Sequence, residues 1–188
     1  MKVQIMKIND LYAYHYYEKE YGPCACILEI PYQDAILINH KNMKTEVERL
    51  YYMKQRLMIE RNMRAMFIKK GGLPRRNNAF YFTVGRNDFI GELFVDWNFV
   101  EIPISEFDPK TITFTYCDSF HAFKRKDDHF TKRKVYTIYE IDEVIDRCGW
   151  NFGEKKIPYY IEMQVWDDTV LKKYSNNVHN MKNSNLEW

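Results

Sequence analysis

The stretch TEVERLYYMKQRLMIERNMRAMFIKKGGLPRRNNAFYFTVG, residues 45–85, decides the fold, because it joins a long helix to a strand through a hard stop. From Thr45 to Lys70 there is no Gly or Pro, and the segment is dominated by Met, Leu, Arg, Lys and Glu, which lose little rotamer freedom in a helix. At 100° per residue, Val47, Leu50, Tyr51, Leu57 and Met58 fall on one side, and Ile59, Met63, Met66 and Phe67 on nearly the opposite one. An apolar face that swaps near residue 60 predicts a kink, or two halves buried against different layers. Lys69 and Lys70 suit the negative end of the helix dipole, Gly71 or Gly72 can take the left-handed conformation after the last turn, and Pro74 forbids continuation. Ala79 to Val84 then alternates as a half-buried strand.

Working outward from this unit, the amino-terminal segment carries Ile8 and an aromatic run from Tyr12 to Tyr21. Cys24 to Ile30 reads as a strand after Gly22-Pro23, and Ala35 to Ile38 as its hairpin partner, packed on the long helix. Glu92 to Ile104 predicts one or two strands ending at Pro103, and Thr111 to Tyr116 is a period-two strand rich in β-branched residues. His121 to Lys134 reads as a charged loop. Thr137 with Glu140 fits a capping box, Ile141, Val144, Ile145 and Cys148 form one stripe, and Gly149 follows the helix. Tyr159 to Trp166 is the last strand, and the tail from Lys172 has little to bury. The expectation is one α+β domain over residues 1–171 with a frayed tail at 172–188. Its mixed, mainly antiparallel sheet packs with one long helix, about 45–70, and one shorter helix, about 138–148.

The formal net charge of +2 conceals strong segregation. Arg61, Arg64, Lys69, Lys70, Arg75, Arg76 and Arg86 occur with no carboxylate between residues 61 and 87, whereas Asp88, Glu92, Asp96, Glu101, Glu106 and Asp108 follow with no cation before Pro109. A second basic block holds Lys124, Arg125, Lys126, Lys132, Arg133 and Lys134 around Asp127, Asp128 and His129. The four cysteines form no C-x-x-C pair, the amino terminus resembles no signal peptide, and no apolar run reaches the roughly 18 residues a bilayer requires. These features point to a reducing, cytoplasmic location, and the abundance of Lys, Asn, Ile and Tyr to an AT-rich genome, such as that of a low-GC bacterium or its phage.

Each basic block would hold phosphates, since Arg offers planar paired donors, or would be an ordinary solvated surface that the following acidic stretch neutralises. If the two converge, they make a groove suited to single strands or RNA, with aromatics available for stacking. Asp118, Ser119, His121, Asp128 and His129 are the best acid-base constellation, with His121, His129 and Asp118 as candidate catalytic residues of an endoribonuclease. Cys24 and Cys26 with His15 or His40 have the residue types of a zinc site, but without a second cysteine pair the core reading prevails and no metal is assigned. Glu162 and Gln164 have the spacing of the metal-and-base pair of sheet-borne nucleases, yet no matching upstream Asp accompanies them. P-loop, dinucleotide, zincin and nucleophile-elbow motifs are absent from the sequence, and no cofactor is called for.

The sequence therefore predicts a small nucleic-acid-associated protein, RNA-binding and in one version an endoribonuclease. The alternative is a protein-binding inhibitor or accessory factor of a phage or mobile element, using the acidic stretch 88–108 and the aromatics as its interface. A nucleotide transferase is a third reading, and it requires a concave pocket.

Overall fold

A computed structural model describes residues 7–29, 45–149 and 160–175. Five strands, β1 (Tyr12–Glu18), β2 (Phe80–Val84), β3 (Trp97–Pro103), β4 (Ile112–Tyr116) and β5 (Ile161–Val165), form one sheet in the order β3-β1-β2-β5-β4. Every neighbouring pair is antiparallel. Helices α1 (Glu46–Lys69), α2 (Asp88–Gly91), α3 (Ser119–Lys124) and α4 (Ile138–Cys148) complete the domain. The α+β architecture and both expected helices are present.

Local chemistry sets the helix ends. Thr45 Oγ1 accepts from Glu48 N at 3.2 Å while Thr45 N donates to Glu48 Oε2 at 3.0 Å, closing a capping box. Gly71 takes φ +86° after the last turn, where a side chain would be strained. The same box recurs at α4, where Thr137 N donates to Glu140 Oε2 at 2.8 Å.

The sheet has two unlike faces. Its apolar face, including Ala13, Ile102, Phe82, Met163 and Phe114, is covered by Ile138, Ile141 and Val144 of α4 together with Ile8, Leu11 and Phe107. The opposite face aligns Tyr14, Thr83, Glu162 and Thr115 across four strands, with Tyr81, Gln164 and Thr113 beside them. That polar face is also buried: Ile59, Met63 and Phe67 of α1 and Ala122 and Phe123 of α3 pack over it around Trp166. The alternating Thr and apolar residues of β4 therefore do not mark a half-exposed strand, because both of its faces are covered.

Several expectations need correction. Cys24 to Glu29 is a run of turns closed by local bonds such as Glu29 N to Cys26 O at 2.8 Å, and the amino-terminal strand is the aromatic run Tyr12–Glu18 instead. The expected partner strand Ala35 to Ile38 lies outside the described residues. The charged segment 121–134 begins inside α3. The 92–104 stretch gives one strand, Trp97–Pro103, ending at Pro103 as expected; residues 169–175 are helical, and the rest of the expected tail lies outside the described residues. The swapped apolar face of α1 does not mark a second buried layer among the described residues. The helix runs unbroken and buries the Ile59 side, while Val47 and Tyr51 stay 74% and 60% exposed.

Candidate functional site

The seam between β1 and β2 is the weak point of the sheet. Its ladder holds only Ala13↔Val84 and Tyr14↔Thr83, against seven pairs between β1 and β3. Beyond Tyr14 the strands part, and the buried His15 ring fills the seam, with Nδ1 2.7 Å from Tyr81 O and Nε2 3.0 Å from Pro23 O. Burial pushes this imidazole below its ordinary range although both carbonyl bonds oppose the shift. A cavity of about 320 Å³ opens in the wedge, between the sheet and α1. That volume accommodates a small ligand.

Tyr14, Tyr16, Tyr52, Tyr81 and Tyr160 contribute aromatic wall, and Arg56, Asp118 and Glu162 the charge. Arg56 is only 6% exposed. Its guanidinium lies 3.7 Å from the centroid of the Tyr81 ring, and Nη1 donates to Ser119 Oγ at 2.9 Å. Burial opposes its charge, but Tyr81, Tyr52, Glu162 and Asp118 outweigh that effect and hold it protonated. Tyr81 is fixed from its other side by Glu60, whose Oε2 accepts the phenol at 2.6 Å while Oε1 accepts the Ala79 amide. Burial raises the Glu60 carboxyl above the usual range.

Glu162 is the centre of the polar face. Gln164 Nε2 donates to its Oε1 at 3.0 Å, and Gln164 is itself held by Thr113 Oγ1 at 2.8 Å and Thr115 Oγ1 at 3.1 Å. Ser119, which accepts from Arg56 Nη1, lies near enough to favour the ionised form of Glu162. Burial first, and then repulsion from Asp118, pushes Glu162 up to about 7 against the pull of Arg56. Asp118 caps α3 by accepting from His121 N at 2.7 Å and also accepts the Tyr160 hydroxyl at 3.1 Å.

Of the expected catalytic residues, the structure brings Asp118 to the cavity wall. His121 is exposed on α3, and His129 lies outside the cavity lining with Nδ1 2.8 Å from Thr131 Oγ1 and its ring stacked on Phe130. Cys24 is exposed, with Sγ 3.3 Å from Ser175 Oγ, whereas Cys26 is buried against Ala79 O and its thiol is pushed up to about 11 by burial. His40 lies outside the described residues.

The cations of the first block are largely engaged. Arg64 Nε donates to Arg76 O at 3.0 Å, Lys70 pairs with Glu140 at 2.6 Å, Arg75 with Asp167 at 2.7 Å, and Arg76 with Glu29 and with Asp168 at 3.1 Å. Arg86 pairs with Asp88 at 2.8 Å. The acidic stretch 88–108 contributes to this neutralisation through Asp88 and, at 3.6 Å, Asp108. In the second block Arg125 pairs with Asp127, Lys132 with Asp128, and Arg133 donates to Phe123 O. Arg61, Lys69, Lys124, Lys126 and Lys134 remain exposed.

Sequence reasoning missed Arg56 and Glu60, although a signal existed. They occur at helical spacing within the stripe Ile59, Met63 and Phe67, and a charged pair inside a buried stripe demands partners there. Comparison with models of known protein families, with curated proteins and with solved structures finds no match for this chain.

Proposed function

We propose that the protein holds an unpaired nucleobase, carried by RNA or another single strand, in the cavity beneath α1. The observation that supports this most is the pairing of tyrosine walls with the buried carboxylate Glu162 and the half-buried Asp118. Flat aromatic surfaces stack on a base, and carboxylates accept from its N–H groups once it has left a duplex. Tyr52 stands at this wall in a stack with Phe120, ring centroids 5.1 Å apart. The exposed Lys124 lies 6.0 Å from the same Phe120 ring, placed to meet a backbone phosphate. Fluorescence anisotropy with a labelled single-stranded RNA and its duplex tests the reading. Single strand binds more tightly, affinity falls with salt, and Tyr52→Ala costs about tenfold or more, the scale of one base stack. Equal affinity for duplex, or binding unchanged in Tyr52→Ala, overturns it.

A second reading, a protein partner, draws on a separate observation: Val47, Leu50, Tyr51 and Met58 expose one apolar edge of α1. Several acids of the 88–108 stretch are engaged within the chain, Asp96 with Lys19, Glu101 with Tyr14 and Glu106 with Lys173, which favours α1 over that stretch as the contact. A partner retained after nuclease treatment and lost in Val47→Asp with Tyr51→Asp is the result this reading requires.

A further inference from the structure

Arg56 and Glu162 present the cavity with a pair of opposite hydrogen-bonding groups. Nη1 of Arg56 is committed to Ser119, while its other N–H groups have no hydrogen-bond acceptor among the described residues, although the side chain is buried and lines the cavity. Glu162 accepts from Gln164 Nε2 at 3.0 Å and lines the same cavity. A carboxylate accepts only, with about four lone-pair sites, and a guanidinium donates only. On the wall of one cavity they offer a ligand two acceptor oxygens and a donor, with no Arg56–Glu162 ion pair closing them off among the described residues.

A ligand edge complementary to that set carries two adjacent donors followed by an acceptor. Guanine has this edge in N2–H, N1–H and O6. Adenine and cytosine place one amino donor beside a ring acceptor, and uracil has a single donor between two acceptors. Each mismatch leaves a buried partner unpaired, which is where hydrogen-bonding sites gain their selectivity. We propose that the cavity selects guanine, with the Glu162 carboxylate accepting from N1–H and N2–H and Arg56 donating to O6. This rests on the base-binding reading above and adds the identity of the base.

Guanine needs the ionised carboxylate, since a protonated Glu162 turns a donor towards N1–H. The groups around Glu162 are Tyr52 and Arg56 from α1, Tyr81 from β2, Thr115 and Cys117 from β4 and its end, Asp118 and Ser119 at the start of α3, and Tyr160 and Gln164 around β5. Arg56 is the cation of that set, so its charge favours the ionised form while the neighbouring acids oppose it. Guanine affinity therefore rises with pH as Glu162 loses its proton, and binding below neutrality releases a proton to the buffer.

Isothermal titration calorimetry with guanosine, inosine, adenosine, cytidine and uridine at pH 6 and pH 8 tests this. GMP and the single strands UUGUU and UUUUU distinguish free nucleotide from RNA. At pH 8 guanosine binds at least about tenfold tighter than inosine, which lacks the N2 donor, and tighter than the other three; each good paired contact discriminates on this scale. The preference narrows at pH 6, and Glu162→Gln loses it while keeping a native circular dichroism spectrum. UUGUU above GMP identifies the strand as the source, and GMP at or above UUGUU the free nucleotide. Nucleosides that bind without a guanine preference, or a preference that survives Glu162→Gln, overturn the inference and leave the base-binding reading standing. No binding by any nucleoside or strand overturns both.

Discussion

Replacing Glu162 by Gln separates the electrostatics of the polar face from its packing, because the two side chains match in size and only one titrates. The carboxyl sits near 4.5 in the unfolded chain and is raised to about 7 in the fold, mainly by burial. Between those values the native state binds the proton more tightly, so folding stability falls as pH rises from about 4.5 to about 7. At about 1.4 kcal/mol per pH unit the full effect is on the order of 3 kcal/mol. Gln removes it, while the other groups titrate in both proteins and cancel in the difference. The stability of the variant relative to the parent should therefore climb by on the order of 3 kcal/mol between pH 4.5 and pH 8, on top of a constant offset from the changed hydrogen bonding to Gln164. Equilibrium urea unfolding of both proteins at matched ionic strength measures it. A flat difference, or one falling with pH as a carboxylate stabilised by Arg56 would give, refutes the reasoning.

Other perturbations address the surroundings. Glu60→Ala leaves the buried Ala79 amide and the Tyr81 hydroxyl without their acceptor. It costs about 2–4 kcal/mol in urea unfolding, and much less when combined with Tyr81→Phe than the two single costs predict. Gly91→Ala places a methyl carbon within 2.5 Å of the Trp97 ring, so overpacking costs about 1–3 kcal/mol and shifts tryptophan fluorescence. Val47→Ser and Met58→Ser change stability by no more than about 0.5 kcal/mol, because both side chains already face solvent; a larger loss in unfolding experiments means that face is covered.

The two longer helices, α1 and α4, were legible in the sequence because their signals are local. Thr45 with Glu48 and Thr137 with Glu140 cap within four residues, and Gly71 and Gly149 stop the chain where a positive φ is needed. Strands β2, β4 and β5 were legible from alternation. Strand β1 was not, because Tyr-Ala-Tyr-His-Tyr-Tyr lacks an alternating pattern, and Cys24 to Ile30 imitated a strand by apolar content alone. The cavity was out of reach for a different reason. It gathers Tyr14, Tyr52, Arg56, Tyr81, Asp118 and Glu162 from five stretches of chain, and it exists because β1 and β2 diverge after two residue pairs. The pairing of the first basic block was out of reach for the same reason. Its counter-charges Glu29, Glu140, Asp167 and Asp168 lie far off in sequence, so an unbroken run of cations looked less neutralised than it is.

The central claim, that the wedge between β1 and β2 is the binding site, is tested most directly by a two-dimensional NMR titration of the labelled protein with GMP at pH 8. The account predicts concentration-dependent shifts of the Arg56 Nε–H resonance and of the Tyr52, Tyr81 and Glu162 amides, with little change at Lys124 to Lys134 beyond Lys124 itself. Shifts confined to the 124–134 segment, with Arg56 and Tyr81 unmoved, would contradict it.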